Sequence, residues 1–351
     1  MTRHGLFVFG IDRWFDIEQK AHGHESRDRG HPLVMSFSAE WTEIRDLETR
    51  IRDFVTEARR RQQLVARRAD WNMLASSLDV IGDTELAIEA YLSSPEASEH
   101  GGQYLLIYGI LQILFVQQDA LQNIAEALRF PYKHYPELFD IRDIRNKTVG
   151  HPTKKDRPKT APQSSHHISR PSMNRTYFQF LSTYEDGRAE FTTVNVRELI
   201  IKQRRVVRNV LSEVVKSLQE DEMAHREKFR DARLADIFST TGYFLGKLLM
   251  ASHQGSTVEL WEANSSLKCV REHIAQFKKS LEERGVLPAY DSVSYVLGEL
   301  DYPLQQLEAY FNNSATWDAQ AAYIFGFFVR AKVNELETMA KEIDEEYSQQ
   351  A

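Results

Sequence analysis

A single cysteine, Cys269, is all that this 351-residue chain contains. No intramolecular disulfide can form, and that shortage fits a reducing compartment such as the cytoplasm. Cys269 has no histidine arrangement beside it in sequence and is expected to be a small buried residue. His22, His24 and His31 resemble a metal tract, but they lack cysteine partners and any ordered pattern behind them. Glycine and proline are also scarce, at 16 and 10. Leu, Ala, Glu, Gln and Arg recur instead in long unbroken stretches, a balance that favours helix. The longest apolar run, "YLLIYGILQILFV" at 104–116, covers about 13 residues against the roughly 20 that a membrane span needs, and it contains Gln112. A buried core helix is expected there, with no membrane partner. The opening residues "MTRHGLFVFGIDRW" lack the pattern of a signal peptide. There is no phosphate-cradling glycine-rich loop, no Walker motif and no pair of metal-binding carboxylates, so no cofactor is expected.

Charge is present but unevenly spread. The net charge is -7, which argues against a general nucleic-acid coat protein. Yet residues 129–175 hold eleven lysines and arginines against four acidic residues, so the rest of the chain carries twice the net negative charge of the whole. A basic island in an acidic body is a local polyanion-binding signal; a solvated loop accounts for the same charges.

Apolar spacing organises the chain. Residues 1–37 form an N-terminal extension. From Ser38, a candidate N-cap, Trp41, Ile44, Leu47, Ile51, Phe54 and Val55 make one helical stripe. A second helix is predicted over about 71–92 with an interruption near Gly82 and Asp83, and a third over about 103–130. A short fourth helix, "ELFDIRDIRNKTV", has Leu138, Ile141, Ile144 and Thr148 on its buried side and ends at Gly150 and Pro152. A loop of about twenty residues follows, ending in "SSHHISRPSMN". Alternation around Asp186–Gly187 predicts a β-hairpin at about 176–196. Helices resume from Val196 to about residue 238, then over 240–251, 258–284, 292–311 and 316–347. The expected fold class is all-α, with a small β-hairpin insertion in a helical domain at 38–240 and an additional C-terminal helical region at 241–351.

The stretch "IRDIRNKTVGHPTKKDRPK" at 141–159 carries the chemistry. Metal-free RNA cleavage needs the 2′-hydroxyl deprotonated, the leaving 5′-oxygen protonated and the extra phosphorane charge stabilised. Histidine is the natural proton handler near neutral pH. Arginine is the natural phosphate clamp, planar, always charged and forked. Arg145 near a helix end and His151 just beyond it can aim at one point, with Asn146 as a polar orienter. Lys147, Lys154, Lys155, Arg157 and Lys159 supply candidate RNA-backbone contacts.

"RNKTVGH" resembles the R-x(4–6)-H signature of the HEPN superfamily, in which Asn often follows the Arg directly; here five residues separate Arg145 from His151. The surroundings also resemble that family, with the motif on a late helix of a helical bundle after a strongly apolar helix. The resemblance implies a HEPN-like bundle and a metal-independent endoribonuclease with Arg145 and His151 as catalytic pair and Asn146 in support. It implies a homodimer with a composite site, and a setting such as a toxin–antitoxin or anti-phage system, with an antitoxin or other regulatory protein as partner.

A second reading of the same residues is a non-catalytic helical interaction module. In it Arg145 pairs with Asp140 or Asp143, and His151 caps the helix C-terminus. His166 and His167 could add imidazole to the site, though neighbouring residues of this kind point apart. Tyr132, His134 and Tyr135 could stack on bases or pack beneath the turn.

Overall fold

The computed structural model describes residues 32–95, 97–133, 135–153, 164–287 and 290–348. The chain divides into two compact units, residues 1–42 and 43–351. Of the first, residues 32–42 are helical; the account below concerns the second.

Ten α-helices are formed among the described residues. They are α1 (Pro32–Thr56), α2 (Ala58–Val65), α3 (Arg68–Ser93), α4 (His100–Ala127), α5 (Pro136–Arg145), α6 (Val196–Phe229), α7 (Thr241–Ala251), α8 (Leu260–Arg284), α9 (Asp291–Phe311) and α10 (Ala319–Ser348). The sheet is antiparallel in the order β1 (Ser164–Ile168), β2 (Tyr177–Tyr184), β3 (Ala189–Asn195). The protein is therefore mostly helical with a small sheet.

Two clusters of buried apolar side chains lie in the described chain. One joins α1 to α6 with the sheet, and includes Ile51, Ile81, Leu111, Leu121, Phe178 and Leu211. The other joins α7 to α10, and includes Leu245, Phe277, Leu307, Val329 and Leu336. Helix α4 is long and apolar enough to cross a membrane by length and composition alone. Here Ile107, Ile110, Leu111, Leu114, Leu121 and Ile124 sit in the first cluster, at most 1% exposed.

Three expectations need correction. Helix α1 begins at Pro32 rather than after a Ser38 cap; a proline's fixed φ suits the first helical turn. Helix α3 runs through Gly82 and Asp83 unbroken. Its Leu78, Ile81, Glu85 and Ile88 are all buried on either side of Gly82, so packing carries one face through the weak former. The segment 164–168, expected in a loop, is a strand paired with β2 in the register His166↔Ser182. Its inward residues are Ser164 and His166, so no apolar alternation marks it. The His166 ring instead meets the hydroxyls of Ser182 at 2.9 Å and Ser164 at 3.3 Å.

The expected hairpin is formed by β2 and β3, and Gly187 takes φ +82° in its turn, a conformation that glycine adopts without steric cost. Asn195 then caps α6, its side chain accepting from the Glu198 N–H at 3.2 Å.

Candidate active site

Helix α4 presents Gln112, Phe115, Gln118 and Asp119 at helical spacing toward α5. The side chains of Arg142 and Arg145, one turn apart on α5, lie across this stripe. Each guanidinium carbon is 4.3 Å from the centroid of the Phe115 ring, close enough for cation–π attraction. Arg142 donates from Nε to Gln118 Oε1 at 2.8 Å and pairs with Asp119. Arg145 donates from Nε (3.2 Å) and Nη2 (2.8 Å) to Gln112 Oε1, and from Nη1 to Asn146 Oδ1 at 3.0 Å. These are all neutral acceptors. The alternative pairing with Asp140 or Asp143 is not formed; Asp143 instead meets Lys147 at 2.6 Å. Among the described residues no carboxylate lies within ion-pair distance of Arg145.

Beyond Arg145 the helix widens into a π-turn, Asn146–Gly150, closed by the His151 N–H donating to the Asn146 carbonyl at 2.7 Å. Thr148 anchors the turn. It is 2% exposed and its hydroxyl donates to the Ile144 carbonyl at 2.8 Å. His151 follows, exposed, with no hydrogen bond from its ring to another described side chain. The chain leaving it is tied to β1, because the His166 N–H donates to the Pro152 carbonyl at 2.7 Å and the Ser165 hydroxyl to that of Thr153 at 3.2 Å.

Gly150 makes this geometry fit. A Cβ built on it would lie 2.6 Å from Arg145 Nη1, inside any real contact. Gly150→Ala must push the guanidinium tip aside, which costs little stability because the tip is flexible. The expected outcome is a melting temperature within a few degrees of wild type together with a large loss of whatever activity Arg145 supports. Thermal melts beside activity assays on this variant check it, and an unaltered activity would show that the observed arginine position is not the working one.

The structure thus brings Arg145 and Asn146 together, and places His151 at the far end of the same turn. Lys147 is held by Asp143. Lys154, Lys155, Arg157 and Lys159 lie outside the described residues, as do His22, His24, His31 and His134. His166 is 2% exposed between two serines, while His167 is exposed on the opposite side of the strand. Tyr132 and Tyr135 pack on the first core, their rings 6.1 Å apart. Cys269 is half-buried rather than buried, at the edge of the α8 face that buries Val270. Gln112, Phe115 and Arg142 were not anticipated. Gln112 did carry a signal, as the lone polar residue inside an otherwise apolar run.

Among the described residues no three His, Cys, Asp or Glu side chains are grouped as a metal site requires. A cavity of about 380 Å³ lies elsewhere, lined by Arg50, Asp53, Glu57, Glu222 and Arg226 among others, and shares no residue with the motif. Within it Arg226 pairs with Glu222 at 2.9 Å.

What fold and site define together is a mostly helical protein with a three-stranded antiparallel sheet, bearing an arginine held by neutral amides at a helix end. Comparison with protein-family models, with curated proteins and with solved structures finds no match.

Proposed function

We propose that the chain is a metal-independent endoribonuclease of HEPN type, acting as a toxin or anti-phage effector in the cytoplasm. The observation that carries this reading is the company Arg145 keeps. A half-buried guanidinium costs free energy to desolvate, and a structural one is ordinarily paired with a carboxylate. Arg145 is instead positioned by two amide oxygens, which fix the fork without neutralising it. Its bonds use Nε, one Nη1 proton and one Nη2 proton, and so leave one proton on each terminal nitrogen for an anion. The exposed His151 follows six positions on, just past the π-turn.

In this reading a histidine takes the proton of the 2′-hydroxyl. O2′ attacks phosphorus, the bond to O5′ breaks, and a second proton handler protonates O5′. The products are a 2′,3′-cyclic phosphate and a 5′-hydroxyl. Arg145 holds the non-bridging oxygens as their charge grows, and Asn146 keeps its fork in place. Lys154, Lys155, Arg157 and Lys159 track the RNA backbone. One chain supplies one motif histidine, so a base and an acid together call for two copies around a two-fold axis. Exposed Leu105 and Tyr108 lie on α4 within two turns of Gln112 and offer such a contact an apolar surface. An antitoxin or another regulatory protein would complete the system.

The deciding experiment incubates purified protein with total RNA in EDTA. Cleavage to cyclic-phosphate and 5′-hydroxyl ends is expected, from a species that light scattering reports as a dimer at micromolar concentration. Intact RNA would sink the nuclease reading, and an active monomer would sink the composite site. A second reading, a helical interaction module, draws on the aromatic and aliphatic side chains left exposed on the C-terminal helices. Ile324 and Phe327 are each 61% exposed and Trp261 is 69% exposed. Capture of a partner by a protein that leaves RNA intact would favour it.

A further inference from the structure

A line of buried polar side chains crosses the first core and ends beside the motif. Glu85 on α3, Gln117 and Gln118 on α4, and Gln203 and Arg204 on α6 are each at most 3% exposed. Arg204 pairs with Glu85 at 2.9 Å. Gln117 Nε2 donates to Glu85 Oε1 at 2.8 Å, Gln203 Nε2 to Gln117 Oε1 at 2.8 Å, and Gln118 Nε2 to Gln203 Oε1 at 2.7 Å. Gln118 Oε1 then accepts from Arg142 Nε at 2.8 Å.

This line has a direction. A carboxylate at one end can only accept and a guanidinium at the other can only donate. The three amides between them must therefore all face the same way, and none can flip without breaking two bonds. The sum of these orientations is one acceptor presented to Arg142.

Stability does not account for the arrangement. Buried ion pairs and polar networks are commonly matched or bettered by apolar side chains of the same volume; what a fully satisfied network provides is a fixed geometry. Arg142 shares the Phe115 ring with Arg145, so the two guanidinium carbons lie at most twice 4.3 Å apart. Two cations held so close favour an anion near both. The Asp119 partner of Arg142 is 46% exposed, and a pair of that kind contributes little in water. Arg142 Nη1 makes no hydrogen bond among the described residues.

We propose that Arg142 is a second phosphate-binding residue, taking the RNA phosphate next to the one on Arg145, and that Gln118, Gln203, Gln117 and Glu85 are its positioning residues. The proposal rests on the nuclease reading for its ligand, and its test is independent of cleavage. The probe is a short 2′-O-methyl RNA, which cannot be cut, followed by fluorescence anisotropy across a salt series.

Arg142→Gln is expected to weaken binding several-fold and to flatten the log–log salt slope by about 0.7, the value for one phosphate contact on a single strand. A structural role alone would lower affinity without moving the slope. Gln118→Met, of similar volume, is expected to weaken binding in the wild-type background and to add nothing to Arg142→Gln. A wild-type slope in Arg142→Gln overturns the proposal, as does full additivity of the two changes. Should Gln118→Met fail to fold, Arg142→Gln alone still decides. Wild-type protein that ignores the probe overturns this proposal and the nuclease reading together. Binding with the predicted slope change but no cleavage of unmodified RNA overturns the nuclease reading alone.

Discussion

Arg145→Ala and His151→Ala are each expected to abolish RNA cleavage while the helical circular dichroism is unchanged. A positioned proton handler contributes about 10²–10⁴ in rate, so His151→Ala should fall by at least that lower factor. Its ring makes no hydrogen bond to a side chain among the described residues and its position is exposed, so its melting temperature should match wild type. Arg145→Ala removes the proposed phosphate clamp and the contact with Phe115. It also strands Gln112 Oε1, at a cost of about 1–3 kcal/mol for a buried acceptor and less for this half-buried one. Arg145→Lys keeps the charge but loses the fork, and should restore stability better than it restores rate. The measurements are single-turnover cleavage of a labelled RNA and urea unfolding of each variant. Wild-type rates in either alanine variant would remove the site assignment. Unfolding of both would move the motif to the structural side.

The largest stability effect is expected at Glu85. Glu85→Ala leaves Arg204 buried without its carboxylate and should cost about 3–5 kcal/mol, read as a shift in the urea midpoint with an unchanged slope. Glu85→Leu combined with Arg204→Met should recover most of that loss. Recovery falls short because the Gln117 amide, which now donates to Glu85 at 2.8 Å, loses its acceptor. Burial raises the Glu85 carboxyl above its ordinary range, opposed by the Arg204 guanidinium and the Gln117 amide. A folded-state value above the unfolded one means that the folded protein holds this proton more tightly. Its contribution to stability is then greatest below the ordinary carboxylate range and declines as pH rises through the folded value. The double variant lacks that decline. Should it prove as unstable as Glu85→Ala, the pair would be a net stabiliser and the account of the network would need revision.

What could be read in advance divides along a physical line. Elements defined by water-avoiding periodicity were legible: the apolar face of α4, the hairpin around Gly187, and the C-terminal helices within a few residues of their ends. So was the placement of Arg145 at a helix end with His151 just past it. Elements held by polar groups were not legible. Strand β1 turns Ser164 and His166 inward, and nothing in "SSHHI" distinguishes two satisfied polar residues from a loop. The unbroken course of α3 depends on Leu78, Ile81 and Glu85 being buried by other helices, which a local propensity at Gly82 does not report. Asn146 apart, the acceptors of Arg145 and Arg142 come from a helix more than twenty residues earlier. Only the folded chain shows that the glutamines of an apolar stretch face the arginines of a basic one.

The π-turn at Asn146–Gly150 bears on how the segment between Arg145 and His151 can change in length. A turn closed to the fifth residue contains one residue more than an α-turn. Deleting one residue from 147–149 would therefore relax it to ordinary α form with the helix axis intact, and the reverse insertion is equally local. Most helix ends gain or lose a residue only by rotating everything that follows. Here β1 grips the exit at Pro152 and Thr153, so the strain of a length change stays within the turn.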